Sequence, residues 1–143
     1  ALKCFGFYGT YTYTHSTTKN HSFEHRILAD DEDIKMTGSP EHTANASLYY
    51  ENKGVNVRLS YNFASEFVDE FGTVAALDRY YDKVNYLDLN ASYTFGKRVK
   101  TPFYAEANNL LNQPLRYYQG DKERTMQAEY YGMRLNAGVK FQF

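Results

Sequence analysis

Six stretches of this chain alternate apolar and polar residues with a period of two, the signature of strands with one oily and one wet face. They cover about residues 4–15, 42–51, 55–66, 80–95, 102–112 and 125–143. The third is the clearest: Val55, Val57, Leu59, Tyr61 and Phe63 alternate with Asn56, Arg58, Ser60 and Asn62. In the fourth, Leu87, Leu89, Ala91, Tyr93 and Phe95 oppose Tyr86, Asp88, Asn90, Ser92 and Thr94. The last eight residues set Ala137, Val139, Phe141 and Phe143 against Asn136, Gly138, Lys140 and Gln142.

The connections alternate in kind. Long polar ones are expected at about 16–41, 67–79 and 113–124, and tight ones at Asn52-Lys53-Gly54 and Gly96 to Thr101. Up-and-down membrane barrels have that asymmetry, with short periplasmic turns, long extracellular loops and strands of about 9 to 11 residues. The expected fold is therefore all-β, an antiparallel up-and-down transmembrane barrel of which about six strands are present. Aromatics at both ends of the apolar face fit two interfacial girdles: Tyr11, Tyr13, Tyr61, Phe63 and Tyr131 outside, Tyr50, Phe95, Phe103 and Phe143 at the periplasmic end. Arg58, Asp88, Glu106, Arg134 and Lys140 fall on the wet face, as lumen-lining, plug-contacting candidates. A lipocalin-like barrel or a soluble sandwich would alternate in the same way, but charges on the wet face and girdles on the other favour lipid.

Composition narrows the classes. Fifteen Tyr and ten Phe against three Pro favour strands, and a net charge of -1 argues against a nucleic-acid partner. No stretch reaches 18 apolar residues, so a membrane-spanning helix is not expected. The single Cys4 can form no intrachain disulfide. The smallest single-chain barrels have about 8 strands, and an open sheet in lipid leaves backbone groups unpaired. The chain is thus expected to be a piece of something larger, in one polypeptide or across subunits.

Several motifs stand out: Gly38-Ser39-Pro40-Glu41-His42 leading into Ala46 to Glu51, Tyr86 to Tyr93, Glu106 to Pro114, Tyr131-Gly132 and the terminal Phe143. Together they resemble the C-terminal barrel portion of a TonB-dependent outer-membrane receptor. The most specific is Asn109-Leu110-Leu111-Asn112-Gln113-Pro114. Asn136, Gly138, Phe141 and Phe143 resemble the C-terminal β-signal that barrel-insertion machinery reads. The resemblance implies a 22-stranded barrel in the bacterial outer membrane, plugged by an N-terminal domain absent from this sequence. It implies import of a siderophore, haem, cobalamin or glycan with energy relayed by TonB through that missing region. The implied partners are the rest of the barrel, its plug, TonB, the insertion machinery and lipid; some members also recruit a surface lipoprotein. The alternative is a non-transporting barrel subunit or binding module that associates with a partner barrel.

Candidate chemistry is sparse. His21-Ser22-Phe23-Glu24-His25 has a zinc-binding spacing but no helical apolar repeat, so His21 and His25 are read as solvated loop residues and stand as ligand-facing candidates. Asp30 to Asp33 lacks the glycine and spacing of a calcium loop. Tyr117, Tyr118, Gln119, Asp121 and Arg124 are further ligand-facing candidates, since rings and amides suit stacking and hydrogen bonding. With no nucleophile–base, phosphate-loop or paired-carboxylate pattern, no catalytic residue, metal site or cofactor is expected.

Overall fold

A computed structural model describes residues 4–18, 34–96 and 101–140. The chain begins with β1 (Phe5–Tyr13) and the short pair β2 (Thr17–Thr18) and β3 (Ile34–Lys35). Then come β4 (His42–Asn52), β5 (Val55–Ala64) and β6 (Phe67–Glu70). A single 3-10 turn at Ala75–Leu77 leads to β7 (Arg79–Tyr81) and β8 (Val84–Phe95). The last four strands are β9 (Thr101–Asn108), β10 (Leu115–Gln119), β11 (Asp121–Glu129) and β12 (Arg134–Val139).

Six strands form one antiparallel sheet in the order β1-β4-β5-β8-β9-β12, each beside its neighbour in the meander. The sheet is open among the described residues, with β1 and β12 at its edges. It is an up-and-down section of a barrel wall. The β4–β5 hairpin closes through Lys53 (φ 46) and Gly54 (φ 86), two left-handed residues whose twist matches that of the strands they join. Glycine is needed at 54, because a Cβ there would lie 2.5 Å from the Thr94 carbonyl oxygen.

The six-stranded sheet has no apolar core. Among the described residues the buried hydrophobics are Ile34, Val68 and Tyr118, all outside that sheet. Its large apolar side chains stand outward instead: Phe7 is 72% exposed and Leu135 67%. Cross-strand pairs such as Leu48 with Leu59, Leu59 with Leu89, and Ala107 with Leu135 keep them on one continuous face. A water-soluble sheet buries such a face, whereas a barrel turns it to lipid.

The long connections contain more order than alternation predicts. A second sheet, β11-β10-β7-β6, stands beyond one end of the first and repeats its strand order, since β6 continues β5, β7 enters β8, β10 continues β9 and β11 enters β12. Residues 67–79, expected as loop, carry β6 and the start of β7, and 113–124, also expected as loop, carry the hairpin of β10 and β11. The stretch expected as one strand over 125–143 is broken between Glu129 and Arg134, and that expected over 80–95 between Tyr81 and Val84. The physical reason is that β6, β7 and β10 carry large side chains on both faces, Val68, Tyr80 and Tyr118 on one and Phe67, Tyr81 and Tyr117 on the other, so no period of two marks them.

Candidate functional site

The four-stranded sheet is built on aromatic rings and ion pairs. Val68, Tyr80 and Tyr118 stand level on adjacent strands, and the rings of Tyr80 and Tyr118 are parallel within 5° with centroids 5.1 Å apart. Phe67, Tyr81 and Tyr117 are level in the same way on the other face, with ring centroids 5.2 and 5.1 Å apart. Arg79 lies over the Tyr117 ring at 5.6 Å and reaches Asp69 Oδ2 at 2.6 Å and Glu70 Oε2 at 3.0 Å. A hydrogen bond to Asp69 raises its pKa above the ordinary arginine value. Arg116 lies over Tyr118 at 5.6 Å and pairs with Asp82 at 2.7 Å.

One contact shows how the β10–β11 hairpin is folded. Lys122 Nζ is 2.7 Å from Glu66 Oε2, although β11 and β6 are opposite edges of a four-stranded sheet, about 14 Å apart by ordinary strand spacing. The chain after Asp121 therefore turns back across the Tyr80–Tyr118 face, where the β10–β11 register shifts. Tyr118 is left 3% exposed, and burial, then Glu66, push its hydroxyl pKa well above the usual phenol value. The two hairpin tips are also fastened together: Gly120 N donates to the Asp78 carbonyl at 2.9 Å, and Gln119 Nε2 to that of Leu77 at 3.3 Å.

Of the ligand-facing candidates, His21 and His25 lie outside the described residues. Tyr117, Tyr118, Gln119, Asp121 and Arg124 are brought together in the hairpin, but mainly as its fastenings. Asp121 Oδ1 accepts from the Glu123 amide at 2.9 Å, and Arg124 donates to the Ala76 carbonyl and the Gln119 amide oxygen at 3.4 Å.

The wet-face candidates are in register. Tyr49, Arg58, Asn90, Glu106 and Asn136 form one transverse row, each opposite the next. Arg58 lies over the Tyr49 ring at 5.7 Å, and Arg58, Asn56, Asn90, Ser92, Tyr104 and Glu106 border a shallow hollow of about 390 Å³. Asp88, opposite Ser60, accepts from the Asn109 amide at 2.9 Å; Arg134 stands opposite Asn108; the Lys140 amide donates to Pro102. Ion pairing among these five charges is not seen in the described residues, so their side chains are not paired with one another. Of the terminal signal, Asn136 and Gly138 lie on β12, while Phe141 and Phe143 fall outside the described residues.

Sequence reasoning missed Arg79, Asp69, Arg116 and Asp82, whose pairings span strands and leave no periodic trace. It singled out Asn109 to Pro114 as the most specific family motif and as a break in period, without showing what the stretch does. There, six residues between β9 and β10 face four, Tyr130 to Met133, between β11 and β12. Asn109 (φ 58) and Asn112 (φ 50) take left-handed backbone to absorb the surplus, and side chains replace the lost ladder. Asn109 Nδ2 donates to the carbonyls of Gln113 and Gly132 at 3.3 and 3.2 Å, and its Oδ1 accepts from Gln113 N at 2.8 Å. Gln113 Nε2 donates to the Lys83 carbonyl at 3.3 Å, and its Oε1 accepts from Asn85 N at 3.1 Å.

No curated protein and no solved structure matches the chain. The family described as "TonB dependent receptor-like, beta-barrel" matches residues 2–110, well over half of its length. Proteins of that family are receptors of the bacterial outer membrane, and the full receptor contains a plug and engages TonB. An open antiparallel wall with an outward apolar face, together with that match, makes this chain a member of the TonB-dependent receptor-like β-barrel family.

Proposed function

We propose that this chain forms part of the wall of a transporter that brings a scarce nutrient, a siderophore, haem, cobalamin or glycan, across the outer membrane using energy relayed by TonB. The observation that carries this reading is the two-faced sheet: apolar side chains outward, and a row of polar and charged residues on the other side. In this reading β1 and β12 pair with further strands, because an open edge in lipid would leave backbone donors and acceptors unsatisfied. Arg58, Asp88, Glu106, Arg134 and Lys140 face a plug, since charges on a wall that form no ion pairs with one another are suited to holding it through charge-assisted hydrogen bonds. The loop expected over about 16–41, with His21 and His25, and the hairpin with the Tyr117 to Arg124 candidates face the ligand. The last strand, with Asn136, Gly138, Phe141 and Phe143, is read by the insertion machinery, and the chain has no enzymatic role.

Fractionation of cells and growth on limiting nutrient test this together. The receptor carrying this chain is expected in the outer membrane, released only by detergent, and its uptake of one nutrient is expected to stop when TonB is deleted. Recovery in a detergent-free soluble fraction, or uptake indifferent to TonB, would sink the proposal.

A further inference from the structure

Gly6 and Gly138 occupy equivalent places on the two edge strands, β1 and β12, of the six-stranded sheet. Neither is among the glycines with positive φ, which are 38, 54, 96, 120 and 132, so the backbone does not demand glycine at either position. A neighbouring ring does. A Cβ at Gly6 would lie 2.0 Å from Tyr49 Cζ, and one at Gly138 would lie 2.5 Å from the Tyr104 hydroxyl oxygen. In each case the tyrosine is the residue directly opposite on the inner neighbour, Tyr49 on β4 and Tyr104 on β9.

Directly opposed side chains usually stand beside one another with Cβ atoms about 4.5–5.5 Å apart. Here both rings lie down over bare backbone instead, covering a stretch of strand that glycine otherwise leaves weakly packed. Both pairs are on the wet face, in the rows that carry Arg58 and Asn56, and the Tyr49 ring in turn supports the Arg58 guanidinium. A slip of the edge strand would place a residue with a Cβ under the ring, where no space exists for it.

We propose that Tyr49 with Gly6 and Tyr104 with Gly138 are two ring-over-glycine locks that register the edge strands and keep both rings flat against the lumenal wall. Gly138 is then required in the last strand by Tyr104 rather than by its own backbone, so what it supplies to the terminal signal is room for that ring. The inference rests on the barrel fold and is independent of which nutrient is carried.

A double-mutant cycle on the full receptor tests it, read by heat-modifiable migration of the assembled barrel and by thermal unfolding in detergent. Gly138→Ala alone is expected to lower the midpoint by several degrees and the assembled fraction severalfold. In a Tyr104→Ala background the same substitution is expected to be neutral or stabilising, as alanine ordinarily is over glycine in a strand. Equal loss in both backgrounds would assign the glycine to insertion or to the backbone and overturn the lock, as would a silent Gly138→Ala. Should Gly138→Ala not assemble at all, Tyr104→Ala with Gly138 retained remains informative: amide exchange at Ala137 and Gly138 is expected to rise at least tenfold, and unchanged protection refutes the contact. The Gly6→Ala and Tyr49→Ala pair is expected to behave in parallel.

Discussion

Asn109 makes three side-chain hydrogen bonds at the junction of the two sheets, as many as Gln113. Its amide joins Gln113 to Gly132 and so ties the start of β10 to the approach to β12, while its left-handed backbone (φ 58) is one that asparagine tolerates. Asn109→Ala removes three bonds and keeps the unfavourable φ, and is expected to cost about 2–4 kcal/mol in unfolding experiments on the receptor. Asn109→Gly relieves the φ but not the bonds, so it should recover only about 1 kcal/mol of that loss. The sequence shows this residue as the place where alternation stops. What it does there was not legible, because the partners that tie it to other strands, Gly132 for its side chain and Asp88 for its backbone amide, are more than twenty positions away. The tyrosines at 117 and 118 illustrate the converse: their chemistry was legible, but not that one of them would be sealed beneath its own hairpin.

At the scale of elements, the outer hairpins behave as one block rather than as separate loops. The ion pairs that join them differ in weight. Arg116 and Asp82 are mostly covered, with side chains 25% and 17% exposed, so Arg116→Met leaves a carboxylate poorly solvated and is expected to cost about 1–3 kcal/mol. Lys122→Met breaks a more exposed pair and should cost under about 1 kcal/mol, yet it should raise the accessibility of Tyr118 to iodination. A silent Arg116→Met would show that the block is held by stacking alone. The segment before β4 carries an acid-sensitive contact: a hydrogen bond from Lys35, 3.0 Å away, holds the Glu41 carboxylate below the ordinary value of 4.5. Since the folded pKa is the lower one, this contribution is complete above the unfolded value and fades as pH falls through the folded value. Proteolytic cutting within 34–41 is expected to increase below about pH 4.5 in the native receptor, and already at neutral pH in Lys35→Met.

For the whole molecule, the decisive property is which face is outward. Leu59 and Ser60 are neighbours near the middle of β5 on opposite faces. Leu59→Arg is expected to destabilise the assembled barrel by about 2–4 kcal/mol, and Ser60→Arg by much less, as measured by folding into lipid vesicles. Equal effects would contradict a lipid-facing sheet. The six membrane strands were legible because lipid on one side and water on the other impose a period of two on the residues. The four-stranded sheet escaped that reading because rings stand on both of its faces, so its strands show no alternation and their continuity is a matter of pairing.

The junction at Asn109 to Pro114 also bears on how such a wall tolerates changes in its gene. It absorbs a surplus of two residues, and two is even, so Tyr117 still stands level with Tyr81. A single-codon insertion after Leu111 would turn every later side chain of β10 to the opposite face, whereas a two-codon insertion would only enlarge the bulge. In a library of insertions at this point, survivors with a functional receptor are expected to be overwhelmingly even-numbered, and lineages would lengthen the outer hairpins in steps of two.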